Sequence, residues 1–289
     1  MNRLIFTFLA FLSSVVSVNA GDETYVKGAR LDDYMRLQSK NSPHARYYYG
    51  EDKGNNFLDL YVPAEIDEKK SAVVVIHGGC WDSEYEGFAQ AGDVVDYFLG
   101  KGYVVFNLEY TAADIGGGYP KTYDDVSNAL LKVSSVLEDK KLSNSGISLI
   151  GHSAGGHLAV WAASGGTESH TEEYLEKVKI KQAVGLGAIL DLGLAEEACP
   201  NIARFGGVGR IAGANMALTS PILMGNNSPV KLVNGSKDSI APPKYAEAYS
   251  RKRNSGSVSY RVVPDATHYD LMTSKSGVLD IVLDMMRSK

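Results

Sequence analysis

The chain has 289 residues, 44% of them hydrophobic, and a formal net charge of −5 from 29 Lys and Arg against 34 Asp and Glu. That length supports one large domain with an extensive core. The acidic balance favours neither nucleic acid nor an anionic membrane surface as a partner, and two cysteines are too few for a disulfide scaffold.

Residues 1–20 read as a cleaved secretory signal: a basic start at Arg3, an apolar run from Leu4 to Val18, and a small-residue exit at Val18-Asn19-Ala20. The run is too short and too polar for a comfortable span of about 20 apolar residues. A secreted or periplasmic product without a stable membrane anchor is the expectation. Residues 21–50 are polar and tyrosine-rich and predict a peripheral arm, and the main domain then occupies 51–289.

From there strands and helices alternate. Phe57 to Val62 alternates in polarity and stops at Pro63, which suits an outer strand. Ala72 to Ile76 is continuously apolar, as a strand covered on both faces must be. Further strands are predicted at Tyr103–Leu108, Ile147–Ile150, Ala183–Ala188, Val230–Asn234 and Val258–Val263, with helices at about 87–99, 123–137, 155–163, 244–253 and 277–287. This rhythm predicts an α/β fold, a mainly parallel sheet with helices on both faces. Between Asp191 and Pro229 no strand pattern appears. The alanine and leucine content there predicts short helices, forming a small cap insertion at about 192–229. Cys80 and Cys199 could pair in an oxidising compartment. Because a bridge needs Cα atoms within about 7 Å, two separate buried thiols are expected.

Residues 151–155 read Gly-His-Ser-Ala-Gly between the Ile147–Ile150 strand and a helix. A sharp strand-to-helix turn lifts the Ser153 hydroxyl off the sheet and aims the Ala154 N–H at the same point. After the Ala72–Ile76 strand comes His77-Gly78-Gly79-Cys80-Trp81, whose Gly78 and Gly79 amides can join that of Ala154 around an oxyanion. His77 itself is expected to brace the loop. The candidate base is His268, in the loop after the last strand, and the acid expected between serine and histidine in chain order is Asp238. Asp191 is the rival acid, whereas Asp265 and Asp270 are expected to structure the His268 loop. His152 and His157 are expected to cap or pack.

These segments, with Gly116-Gly117-Gly118-Tyr119-Pro120 before a helix, resemble the α/β-hydrolase superfamily, and more narrowly its carboxylesterase and kynurenine-formamidase-like branch. Two features depart from the lipase-like members of that superfamily. Cys80 stands where their third oxyanion-loop glycine falls, and Tyr110-Thr111-Ala112-Ala113-Asp114 replaces their Tyr-Arg-Leu-Ala-Pro segment. The resemblance implies an α/β-hydrolase fold and hydrolysis of small to medium acyl or aryl esters through an acyl-enzyme on Ser153, with no metal or organic cofactor. The alternatives are an amide hydrolase on the same three residues and a non-catalytic binding protein on this fold. Trp81, Tyr119 and Tyr269, with Tyr85 and Met224, are the candidates to line the substrate mouth.

Overall fold

Five of the strands predicted from sequence are apolar enough to be covered on both faces. In the computed structural model, which describes residues 27–85, 87–143, 145–166, 172–225, 227–253 and 257–288, they are the centre of one sheet. The strands are β1 (Ala45–Tyr48), β2 (Phe57–Tyr61), β3 (Ala72–Ile76), β4 (Val105–Leu108), β5 (Ile147–His152), β6 (Ile180–Leu186), β7 (Val230–Gly235) and β8 (Val258–Val263). Their spatial order is β1-β2-β4-β3-β5-β6-β7-β8. The first two pairings, β1 with β2 and β2 with β4, are antiparallel, and the rest are parallel.

The helices are α1 (Leu31–Tyr34), α2 (Gly92–Gly100), α3 (Lys121–Lys140), α4 (Ala154–Ala163), α5 (Glu172–Lys177), α6 (Ala195–Ala198), α7 (Gly207–Ala212), α8 (Pro243–Arg253) and α9 (Val278–Arg287). Side chains on the two faces of the central strands enter separate cores. Val74, Ile76 and Leu149 pack with α3 and α4, and Val73, Val75 and Ile150 pack with α2 and α9. All ten residues of α4 are buried, because the sheet lies on one side and residues from the 218–219 segment close the other. No helix among the described residues is long and apolar enough to cross a membrane. The signal-like stretch 1–20 lies outside the described residues.

Two expectations are corrected. The 57–62 strand is interior, not outer, because the arm returns as β1 and pairs beside it. The polar Asp59 that gave β2 its alternating look is covered by Arg46 of β1, whose Nε and Nη2 donate to the carboxylate at 2.7 and 2.8 Å. The arm is therefore part of the sheet, and an ion pair supplies the polarity that read as solvent exposure. The second correction concerns the cysteines. Cys80 and Cys199 form a disulfide, with Cα atoms 5.7 Å apart. The chain folds the 192–223 segment back over the β3 loop, so residues 119 positions apart meet. That segment consists of short helical turns, two of them α6 and α7, laid across the carboxyl ends of the strands.

Candidate active site

The carboxyl end of β5 leads into α4 with no intervening loop, so the residue between them must take an uncommon backbone. Ser153 has φ 54° and ψ −117°, a conformation that costs on the order of 1–3 kcal/mol and persists only where its surroundings enforce it. Its N–H donates to Leu186 O at 2.9 Å, and its carbonyl accepts the His157 N–H at 3.0 Å. Gly155 makes the turn possible, since a Cβ there would run into the carbonyls of Ile76 and His77.

The β3 loop passes directly beside this turn; a Cβ on Gly78 would lie 3.2 Å from the Cβ of Ser153. His77 braces the loop from within. Its Nδ1 is 2.7 Å from Gly78 O, its Nε2 is 2.8 Å from Glu109 Oε1, and its ring stacks on Tyr110 at 4.2 Å. Both ring nitrogens are occupied away from Ser153. Burial pushes the Glu109 carboxyl up, but the neighbouring His77 and the amides of Phe88 and Tyr110 outweigh it and hold the group below the ordinary carboxylate range.

His268 reaches the site from the loop after β8. Its Nδ1 is 2.8 Å from Asp238 Oδ2, and both side chains are buried. Asp238 follows β7, and its Oδ1 accepts the amides of Ile240 and Ala241 at 2.9 and 2.8 Å. With Nδ1 committed to Asp238, Nε2 is the nitrogen left to act toward the cavity that His268 and Ser153 both line.

The rival acids are engaged elsewhere. Asp191 caps the turn Leu192–Leu194 by accepting Gly193 N at 2.9 Å. Asp265 pairs with Lys237 at the surface. Asp270 accepts the amides of Gly28 and Thr267, both at 2.8 Å, and so ties the arm to the His268 loop. His157 packs edge-on between Trp81 and Tyr123, with Nε2 on Thr219 O at 2.8 Å.

The cavity is small, about 100 Å³. Tyr269 and Tyr85 line it, with the Cys80–Cys199 bridge, Leu31 and Tyr34. Trp81 and Tyr119, expected at the mouth, are not among its walls. The Trp81 indole is 1% exposed and turned into the core against His157. Tyr119 packs on Tyr123 of α3, its amide held by Arg210 O of the cap. Met224 likewise packs against the core. Sequence reasoning missed Leu31 and Tyr34, whose only signal was the tyrosine content of the arm. The cap is further tied to the β3 loop through Asp82, which accepts from Asn201 Nδ2 at 2.7 Å and from Arg204 at 2.5 Å.

A serine on a strained strand-to-helix turn, at the carboxyl edge of a sheet in this order, defines an α/β-hydrolase. Within that class the chain belongs to the BD-FAE family, whose model matches residues 58–252. A kynurenine formamidase of Salmo salar is 32% identical over 145 residues, covering 50% of this chain and 45% of the relative. Esterase LipQ of Mycobacterium tuberculosis is 24% identical over 270 residues, covering 85% of this chain and 63% of the relative. The matches therefore span less than two thirds of either relative's length. Among solved structures, Esterase B from Lactobacillus rhamnosis superposes with a TM-score of 0.68 at 18% identity, over 89% of this chain and 88% of that one, which establishes the shared fold.

Proposed function

We propose that this chain is a serine hydrolase that cleaves carboxylic esters of small to medium acyl or aryl substrates through an acyl-enzyme. The observation that carries the reading is the buried 2.8 Å hydrogen bond between His268 and Asp238, on a histidine that lines one cavity with Ser153. In this reaction His268 takes the Ser153 proton as the hydroxyl attacks the carbonyl carbon. Backbone amides of the Gly78-Gly79 loop and of Ala154 hold the oxyanion. His268 then protonates the leaving alcohol, and a water activated by the same ring releases the acid. Asp238 keeps the imidazole in one tautomer and stabilises its protonated form. The similarity to an esterase supports the ester reading, and the formamidase similarity supports an amide as the second substrate type.

The test is turnover of nitrophenyl esters from acetyl to palmitoyl, an N-formyl aryl amide and a peptide anilide, with Ser153→Ala as control. Ester turnover that Ser153→Ala abolishes is expected. Turnover that survives the substitution removes the nucleophile assignment, and turnover of the formyl amide alone replaces the main reading with the second.

Export is also proposed. The disulfide suits an oxidising compartment, and residues 1–20 carry a signal-like pattern. The mass of the product recovered outside the cytoplasm checks it; cleavage after Ala20 is expected.

A further inference from the structure

Tyr34 is fully buried, yet it belongs to the arm and lies outside the 58–252 stretch that matches the family. Two sets of contacts pin the arm on either side of it. Upstream, Asp270 accepts the Gly28 and Ala29 amides at 2.8 and 3.3 Å, and Thr267 donates to Ala29 O at 2.7 Å. Downstream, Asp96 of α2 accepts from Ser39, Lys40 and Asn41 at 2.5–2.8 Å. The ring between these anchors packs on His152 and Tyr269, at 5.2 and 5.4 Å between centroids.

The hydroxyl's role follows from the hydrogen-bond inventory. His152 Nε2 lies 3.1 Å from the backbone carbonyl of His268. A carbonyl only accepts, so Nε2 carries the hydrogen. Burial and the neighbouring His268 push His152 well below its ordinary pKa, so the ring is neutral and Nδ1 is bare. Nδ1 is 3.3 Å from the Tyr34 oxygen, and Tyr34 must therefore donate to it. Burial pushes the phenol up, which keeps that hydrogen in place at neutral pH. The Gly78 backbone N–H faces the same oxygen and offsets a small part of that rise, and the loop lies close against this pair: a Cβ on Gly78 would lie 2.9 Å from His152 Nδ1. One directed chain results, from Tyr34 O–H to His152 and on to the His268 carbonyl, with the Gly78 segment packed against its start.

We propose that Tyr34 is a positioning residue of the hydrolytic site, its hydroxyl locking the β3 loop to the Ser153 turn and to the backbone of His268. The inference rests on the serine-hydrolase reading. With Tyr34 beside the Gly78 amide, the oxyanion donors are Gly79 and Ala154. The Gly79 N–H shares its peptide with Gly78 O, which His77 Nδ1 holds at 2.7 Å, so Tyr34 acts on where that loop lies against the Ser153 turn rather than on the tilt of that peptide. Removing the phenol oxygen leaves every reacting group present but unlocks their relative placement. The loss should be smaller than the roughly 10²–10³-fold seen when an oxyanion donor is deleted outright.

The experiment compares wild type with Tyr34→Phe in two assays. One is kcat and KM for 4-nitrophenyl acetate; the other is the rate at which an aryl fluorophosphonate modifies Ser153, read by intact mass. Tyr34→Phe is expected to lower kcat and the modification rate about 10- to 100-fold, with KM within about twofold and the protein still folded at the assay temperature. His152→Gln breaks the same chain, so the double variant should lose no more than the worse single one. Unchanged kcat, a change in KM alone, or additive losses would each overturn the proposal. A wild-type Ser153 that the phosphonate does not modify sinks the serine-hydrolase reading first and this inference with it. A reactive wild type matched by Tyr34→Phe sinks only the inference.

Discussion

Cys80 and Cys199 join the residue after Gly79 to the start of the turn at Pro200, so one covalent bond holds the candidate oxyanion loop against the cap. Bridging a separation of 119 residues restricts the unfolded chain strongly. Cys199→Ser should cost about 2–5 kcal/mol of stability, read as a lower urea midpoint. It should also lower kcat/KM, since the polar contacts that remain between loop and cap, those of Asp82 with Asn201 and of Asp82 and Glu84 with Arg204, are weaker than a covalent bond. A midpoint unchanged from wild type would show that those polar contacts suffice.

The acid is assigned by comparing two substitutions. Asp238→Asn keeps the shape but replaces the acceptor opposite His268 Nδ1, and a loss in kcat of about 10⁴-fold is expected. Asp191→Asn touches a turn cap that an Asn oxygen can still supply to the Gly193 N–H, so stability and kcat should both stay near wild type. Nitrophenyl ester kinetics on both variants decide it, and the opposite order would transfer the role to Asp191.

Gly187 sits under the His268–Asp238 pair with φ +53°. A Cβ there would lie 2.8 Å from His268 Nδ1 and 2.9 Å from Asp238 Oδ2, too close for either to stay. Gly187→Ala should therefore lower kcat by at least about tenfold, as misplacement of a reacting group does, while the protein still folds. Far-ultraviolet dichroism alongside ester kinetics checks both halves of the statement.

Acid sensitivity should come in part from histidines held neutral. Burial lowers His157 from 6.5 to about 4, and burial lowers His152 in the same direction. The unfolded chain then binds more protons than the native one below pH 6.5, so stability falls as pH drops through that window. His157 alone contributes a loss of about 3 kcal/mol between pH 6.5 and 4. Urea unfolding across that range measures the slope. His157→Gln, less stable at neutral pH, should show a shallower one.

Much of the architecture was readable from local pattern. A short, β-branched apolar run such as Ala72–Ile76 suits a strand covered on both faces, and the small residues around Ser153 suit a tight turn into a helix. Asp238 and His268 drew attention because loops after parallel strands collect at one edge of a sheet. What misled was equally specific. Asp59 made β2 look solvent-facing, because the Arg46 that covers it arrives from a different strand. Trp81 and Tyr119 were expected at the cavity mouth, yet their rings pack inward.

Sequence alone therefore determined the order of elements, the parallel sheet and the serine turn, because each follows from backbone sterics and hydrophobic period within a few residues. Tertiary structure alone decided the pairing of Cys80 with Cys199, the return of the arm as β1, and the entry of Tyr34 beside His152 and Gly78. Those depend on which distant segments share a surface once the core has closed. No local propensity encodes that, because the free energy that selects it comes from packing the whole chain.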